Sequence, residues 1–425
     1  MSSRFEMVRA LRRSQLGGTV LSLYGLQAAN YLLPLVSFPY LTRTLGPEGF
    51  GVYVFVLVVA RYLILITDYG FTYTATRDIA VARDSASDVT RIGSAVVVAR
   101  LVLLGAMAIV VVILTTQVDR FVQDAALFWI AFAGGAGSAL TPLWLFQGFD
   151  RLPLATGWSV AFRAIATMLI FILVQGRADL DVLLWLWSAP WLATAVVTLT
   201  LARTRLGVRL RRPTAQAVRR AFRDGASIFV AILASSLYLT SNALFLGLLT
   251  NNRQVGFFGT AESVIVGVKG LVDPISQALF PRAAQMGAQG REQALAHARR
   301  ALRWIGGLGL LLALLTLAVA PILPLIVGAG FGPSVHILAI MSPIVLAQAL
   351  IIVLGVHLML PLRMDREYSL VVLLGGLVNV GLTLALVPLF EATGTAISVA
   401  VTETAIWIAL ALLLRRRALN VFRLT

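Results

Sequence analysis

The sequence predicts an all-α integral membrane protein with about twelve transmembrane helices in two six-helix bundles and both termini in the cytoplasm. Three observations predict it. Apolar residues make up 59% of the 425 positions and charged residues only 13%, with a mean hydropathy of +0.89. A water-soluble chain needs about twice that charge to cover its surface. Several separate apolar stretches reach the length, about 20 residues, that crosses a bilayer as a helix. The basic residues, finally, are spread very unevenly over the connecting loops.

Each helix is an apolar run bounded by charged or turn-forming residues. The first half reads as helices over 16–39, 50–76, 92–116, 125–147, 156–174 and 182–202. The second half reads as helices over 226–250, 255–281, 304–329, 335–361, 368–390 and 392–414. Between the last two, Glu391-Ala-Thr-Gly394 must serve as the whole turn. The runs delimit a cytoplasmic amino-terminal segment (1–15), a first bundle (16–202), a basic linker (203–225), a second bundle (226–414) and a basic tail (415–425). No cleavable leader is expected, because the first apolar run is long and no small-residue cleavage site follows a short one.

With both ends inside, the cytoplasmic segments hold 27 of the 35 basic residues, and the outer loops hold four: Arg43, Arg120, Arg177 and Arg253. Positive residues concentrate on the cytoplasmic side of membrane proteins, so the inverted orientation is excluded. The linker alone carries Arg203, Arg205, Arg209, Arg211, Arg212, Arg219, Arg220 and Arg223. It reads as an orientation determinant resting on anionic headgroups. A nucleic-acid partner is not expected, since no recognition fold or aromatic platform accompanies the charge.

A weak internal repeat supports the two halves. A shift of 205 residues lays Gly51, Asp68 and Arg77 over Gly256, Asp273 and Arg282.

Eight ionisable side chains fall inside the expected helices: Arg61, Arg100, Arg163, Lys269, Asp68, Glu262, Asp273 and Glu403. Facing lipid, they would together cost about 20 kcal/mol, more than a fold's usual net stability. Most must therefore face protein or water, which implies a polar interior path. The first half holds three cations and one acid, the second one cation and three acids. Arg61 lies near mid-membrane, too deep to reach the headgroups. Arg100 and Arg163 lie nearer the cytoplasmic side, where they line a cavity or snorkel. Neither has an acid three or four positions away to neutralise it within its own helix. Lys269 and Asp273, four apart, are candidates for a structural pair or for the path. Asp68 and Asp273 fall near helix ends, where a carboxylate also serves as a cap. Glu403 is deep, and a carboxyl there can carry a proton or a coupling ion. Among neutral residues at depth, Asn30 and Asn242 are candidate substrate contacts, although an amide in a membrane helix often bridges to a neighbouring helix.

Cysteine is absent and the three histidines are far apart in sequence, so no metal centre is expected. No phosphate-binding G-x-x-x-x-G-K-[ST] loop or H-E-x-x-H occurs. The outer loops are too short for a soluble active site. The chain reads as a non-enzyme without a cofactor.

Residues Asn30-Tyr-Leu-Leu-Pro-Leu-Val-Ser-Phe-Pro-Tyr-Leu-Thr-Arg-Thr-Leu-Gly46-Pro-Glu-Gly-Phe-Gly51, Thr67-Asp-Tyr-Gly-Phe71 and Ala75-Thr-Arg77 carry a specific pattern. It resembles the amino-terminal region of the Wzx-type oligosaccharide flippases of the polysaccharide transport family. These share a superfamily with multidrug and toxin extrusion antiporters and lipid II flippases. The resemblance implies two six-helix bundles around a central cavity that rock to open it on alternate sides. It implies a substrate of undecaprenyl-pyrophosphate-linked sugar repeat units, moved to the outer leaflet of a bacterial plasma membrane. It also implies membrane lipids, a polysaccharide polymerase and a chain-length regulator as partners. Arg61, Arg100, Arg163 and Lys269 would then engage the phosphate, and Glu403, Asp68 and Asp273 a coupling ion. A drug antiporter and a lipid II flippase are the nearest alternatives. Cations in the first half favour an anionic substrate over cationic drugs.

Overall fold

The computed structural model describes the backbone of residues 2–419 and 421, and the side chains of 33–233, 236, 240–419 and 421. Helix is the only regular structure among the described residues. The first half runs α1 (Ser2–Asp68), α2 (Phe71–Ala82), α3 (Ala86–Gln117), α4 (Asp119–Val122), α5 (Ala125–Leu140), α6 (Leu143–Gly148), α7 (Leu152–Leu173) and α8 (Leu180–Arg205). The second runs α9 (Ala215–Leu239), α10 (Ser241–Leu249), α11 (Asn252–Lys269), α12 (Asp273–Gln289), α13 (Arg291–Ala301), α14 (Gly307–Val319), α15 (Leu323–Val327), α16 (Gly332–Met341), α17 (Pro343–Ile351) and α18 (Asp365–Arg416). Two π-helical stretches, Leu302–Gly306 and Ile352–Met359, continue α13 and α17.

Two of these helices contain reversals. In α1 the backbone turns at Gly46, with φ at 65°. Phe38 and Phe50 would stand about 18 Å apart on one straight helix, yet their ring centroids are 5.9 Å apart. Glycine takes the positive φ without strain, and Pro47 lacks the N–H that would continue the ladder. In α18 the reversal is at Glu391, φ 51°, within the turn expected at Glu391–Gly394. The two limbs are so close that a Cβ on Gly394 would meet the Leu386 carbonyl.

The helix ends differ from the expected ones for two reasons. The expected spans 50–76, 125–147, 226–250 and 255–281 each cross a break, at Tyr69-Gly70, Thr141-Pro142, Thr240 and Gly270–Val272. The apolar run continues through the break, and hydropathy does not record backbone direction. Conversely α3, α9 and α13 begin at 86, 215 and 291, well before the apolar runs at 92, 226 and 304. Their first turns are charged and amphipathic, and good helix formers extend them.

Among the described residues, eight helical stretches are long and apolar enough to cross a membrane, or nine with the pair α11–α12, bent by 42°. Large apolar side chains stand outward, among them Val102, Ile109 and Ile113 on α3 and Leu311 and Leu314 on α14. Polar ones are inside, with Asn379, Thr383, Ser398, Thr402 and His357 all at 0% exposure. That inverted distribution belongs to a protein whose solvent is hydrocarbon. The chain is a multi-pass membrane protein.

The chain forms two compact units, residues 1–37 with 56–233 and residues 38–55 with 234–425. The first has a buried core of Phe71, Ile79, Trp144, Leu145 and Phe146. The second buries Leu354, Leu358, Met359, Leu410 and Leu414 together. The tip of the first hairpin is built into the second unit. There Phe50 packs edge-on to Phe331, centroids 6.3 Å apart, and the Arg43 guanidinium donates to the carbonyls of Ile326 and Leu325 at the end of α15.

The 205-residue offset holds beyond the three matched residues. It relates the start of α3 at 86 to that of α13 at 291, and the Gly46 reversal to the gap at residues 250–251 between α10 and α11. The matched glycines meet: a Cβ on Gly51 would strike the Asn252 carbonyl and the Gly256 nitrogen, and one on Gly256 the Pro47 carbonyl. The matched aspartates both lie at a break but on opposite sides of it, Asp68 closing α1 before Tyr69-Gly70 and Asp273 opening α12 after Gly270–Val272.

Candidate functional site

In the first unit a buried ion pair joins four helices. Arg100, on α3, donates through Nη2 to Asp68 Oδ1 at 2.5 Å and to Thr72 Oγ1 at 3.3 Å, and through Nη1 to the Ala139 carbonyl at 2.9 Å. Thr72 donates its own hydrogen to Asp68 at 2.5 Å. Ala139 is near the end of α5, where Leu143 N–H turns to Thr141 and leaves that carbonyl without its helical donor. One guanidinium thus joins α1, α2, α3 and α5. Its side chain is 4% exposed and that of Asp68 27%, so Arg100 does not snorkel. The neutralising acid missing from its own helix comes from α1.

Arg61 is placed differently. From Gly49 to Gly70 every residue is buried or half-buried except Arg61, which is exposed. It has no hydrogen-bond partner among the described residues. Seven residues separate it from Asp68, so the two share a helix face about 10 Å apart along the axis. Were that face turned to lipid, valine and leucine would be its exposed residues. Arg163, on α7, lays its guanidinium over the ring of Trp191 on α8, 4.2 Å from the centroid. This cation–π contact positions the guanidinium. The side chain of Asn30 lies outside the described residues.

In the second unit Lys269 ends α11, and its ammonium stands 3.9 Å from Glu403 Oε1, the side chains being 25% and 3% exposed. The helix breaks over Gly270–Val272, so Lys269 and Asp273 are not the i,i+4 pair of one continuous helix. Asp273 is the first residue of α12 and feels the Lys269 charge. The lone lysine therefore has a carboxylate deep on one side and a half-buried one on the other.

A neutral polar network lies on the same α18 hairpin as Glu403. Asn242 Oδ1, on α10, accepts from Thr383 Oγ1 at 3.2 Å. The Thr383 and Ser398 hydroxyls are 2.8 Å apart. Asn379 Nδ2 donates to Ser398 at 3.3 Å and to Thr402 at 3.4 Å. Asn242 is 4% exposed and bridges α10 to α18, which is the interhelical role open to such an amide.

Thr72, Trp191, Thr383, Ser398 and Thr402 escaped the sequence reading. Asn379/Thr383 and Ser398/Thr402 are polar pairs at i,i+4 in apolar limbs, a signal that could have found them. The two units supply different chemistry: two cations, Arg61 exposed and Arg163 against the Trp191 ring, in the first, and a lysine beside Glu403 in the second. Such groups can bind an anion and exchange ion-pair partners as protonation changes.

The sequence profile of a family described as "Polysaccharide biosynthesis protein" matches residues 16–287. An Escherichia coli (strain K12) protein named "Putative O-antigen transporter" is 32% identical over 385 residues, 90% of this chain and 93% of its own length. A Shigella dysenteriae protein of the same name is 26% identical, covering 91% of this chain and 97% of its own. Among solved structures, the lipid II flippase MurJ in an inward closed conformation aligns with a TM-score of 0.69 at 9% identity, over 93% of this chain and 87% of that one. An inward-facing multidrug resistance transporter of the MATE family in the MOP superfamily aligns at 0.68 and 13% identity, over 94% and 98%. At those identities the likeness is one of fold. The profile and the one-third identity along nine-tenths of the sequence decide the family: the chain belongs to the polysaccharide biosynthesis proteins.

Proposed function

We propose that the chain is a flippase that carries undecaprenyl-pyrophosphate-linked oligosaccharide repeat units from the cytoplasmic to the outer leaflet of a bacterial inner membrane, by alternating access. The observation that carries this reading is the 32% identity, over 90% of the chain, to the protein named "Putative O-antigen transporter". Transport of a polysaccharide repeat unit needs a membrane protein with polar groups at depth, and this chain has them. A lipid-linked pyrophosphate cannot cross hydrocarbon alone, because its charges would lose their water. Arginine replaces that hydration with paired N–H donors matched to phosphate oxygens. Arg61 is the cation best suited to it, being the exposed residue of its helix face, and Arg163 on Trp191 is the second; Arg100 is committed to Asp68 and Ala139. Lys269 and Glu403 supply an ion pair whose partners can separate when Glu403 takes a proton.

The test is translocation in proteoliposomes loaded with the undecaprenyl-pyrophosphate oligosaccharide on the inner leaflet, read by the access of an added glycosidase. Flipping no faster than in empty liposomes sinks the reading. Flipping of lipid II alone, or export of a cationic drug alone, replaces it with one of the two alternatives.

Two further results are expected. Arg61→Ala and Arg163→Ala each slow translocation by about tenfold or more, the worth of a charged hydrogen bond, at unchanged protein level. Because the chain has no cysteine, Arg61→Cys can be probed alone with a water-soluble thiol reagent; an unreactive thiol would put this position in lipid and remove it from the site. Glu403→Gln is expected to remove the response of transport to a collapsed proton gradient. A response equal to that of the wild type assigns the coupling elsewhere.

A further inference from the structure

The three histidines, far apart in sequence, include two that the fold brings together. His297 on α13 and His357 in the π-helical stretch after α17 are 3% and 0% exposed, with ring centroids 5.7 Å apart. Ser276 of α12 meets His357 Nε2 at 3.0 Å. Two ring nitrogens, His297 Nε2 and His357 Nδ1, are buried with no hydrogen-bond partner among the described residues. Both rings belong to the second unit. They sit beside the segment 281–304, whose five arginines assign it to the cytoplasmic side. π-Helical turns are rare and concentrate at functional sites; here one follows each ring's segment or contains it, over Leu302–Gly306 and Ile352–Met359.

The charges acting on the pair are Arg282 of α12, Arg300 of α13 and the two rings themselves. Arg299 lies on α13 and Arg303 on its π continuation, α17 has no ionisable side chain, and α18 lays the Tyr368 ring on Gly355, two residues from His357. The carboxylates of α12 and α13 are Asp273, three positions before Ser276, and Glu292, five before His297, and among the described residues neither is hydrogen-bonded to a ring. A neutral imidazole offers one donor and one acceptor, whereas a protonated one offers two donors. In this packing an added donor at His297 Nε2 or His357 Nδ1 finds no acceptor among the described residues, and the charges of Arg282 and Arg300 oppose the added one. The uncharged pair fits the closed arrangement, and the charged one requires water or movement. A second proton would place two like charges side by side in a buried setting.

We propose that His297 and His357 form a proton-binding site at the inner end of the second unit, which takes up one proton from the cytoplasm and thereby loosens α13 from the π-helical stretch. Its consequence for transport rests on the flippase reading; proton binding itself does not. The site is separate from the Lys269–Glu403 pair and makes export respond to cytoplasmic acidity.

The experiment uses histidine-labelled full-length protein in lipid nanodiscs, followed by NMR from about pH 4 to 8, a window that takes in the usual histidine range and its acid side. Exposed His336 is the internal reference. The resonances of His297 and His357 are expected to change together, and replacing either by Gln to alter the titration of the other while His336 is unmoved. Amide exchange in α13, corrected for its intrinsic pH dependence, is expected to rise about tenfold with protonation. Rings that titrate independently, rings that bind no proton in this range, or α13 exchange that stays flat would each overturn the proposal. Should either Gln variant fail to insert, Ser276→Ala keeps both rings and is expected to change the titration of both through His357; an unchanged titration counts against the site. In proteoliposomes, export is expected to vary about fivefold or more over the same range, and His357→Gln to flatten it. Export that ignores pH while the rings bind a proton refutes the coupling. No export at any pH from the wild type refutes the flippase reading, and a coupled ring titration still supports the proton site.

Discussion

Replacing Arg100 by methionine is expected to cost the first unit about 3 kcal/mol or more, the penalty for leaving one partner of a buried ion pair alone. The variant strands Asp68 beside Thr72 and removes the donor that caps the Ala139 carbonyl. The joint between α1, α2, α3 and α5 then loses its shared centre. The amount of inserted protein and its thermal unfolding in detergent measure the loss. Asp68→Leu combined with Arg100→Met is expected to recover part of it, because the two charges disappear together. A double variant as unstable as the sum of the singles would mean that the pair adds nothing beyond its separate contacts. A single Arg100→Met with wild-type unfolding and lowered translocation would instead make Arg100 a substrate contact.

The second large effect is expected at the glycine crossing of the second unit. Gly51→Ala and Gly256→Ala each drive a methyl group into backbone atoms of the other helix, Asn252 and Gly256 in one case and Pro47 in the other. Backbone cannot change rotamer, so the helices must part. Overpacking of this kind costs about 1–3 kcal/mol and sometimes more. Gly105→Ala on α3 is the control, since nothing lies within 4 Å of its added Cβ. Gly51→Ala is expected to lower the yield of inserted protein severalfold, and Gly105→Ala to leave it unchanged. Equal yields from both would mean that the crossing is not close-packed in the membrane.

The family pattern between Asn30 and Gly51 gains a physical meaning from these contacts. Its described residues Arg43, Gly46, Pro47, Phe50 and Gly51 build the hairpin tip that the second unit holds. These described residues pack the hairpin tip, whereas Asn30 at the start of the pattern lies outside the described side chains.

Hydropathy and charge made the membrane helices legible in the sequence, because a bilayer imposes one length and one polarity on every span. Glu391–Gly394 could be read as a turn because a charge and a glycine interrupt two long apolar runs. The breaks at Tyr69-Gly70 and Gly270–Val272 also carry a glycine and a neighbouring charge, Asp68 and Lys269, but each falls inside an apolar run of the length of a single span, so the run was read through it. Among the site residues, the sequence determined that charges lie at depth, since their cost in lipid follows from composition alone. Which of them pair was decided by tertiary structure. Arg100 finds Asp68 from 32 positions away. Lys269 stands 3.9 Å from Glu403, a partner on another helix that its spacing from Asp273 does not reveal. His297 and His357, 60 positions apart, become neighbours in the same way. Burial energy depends on residue type and can be summed along a chain, whereas an ion pair or hydrogen bond depends on a distance of a few ångströms between segments that only the packed helices bring together.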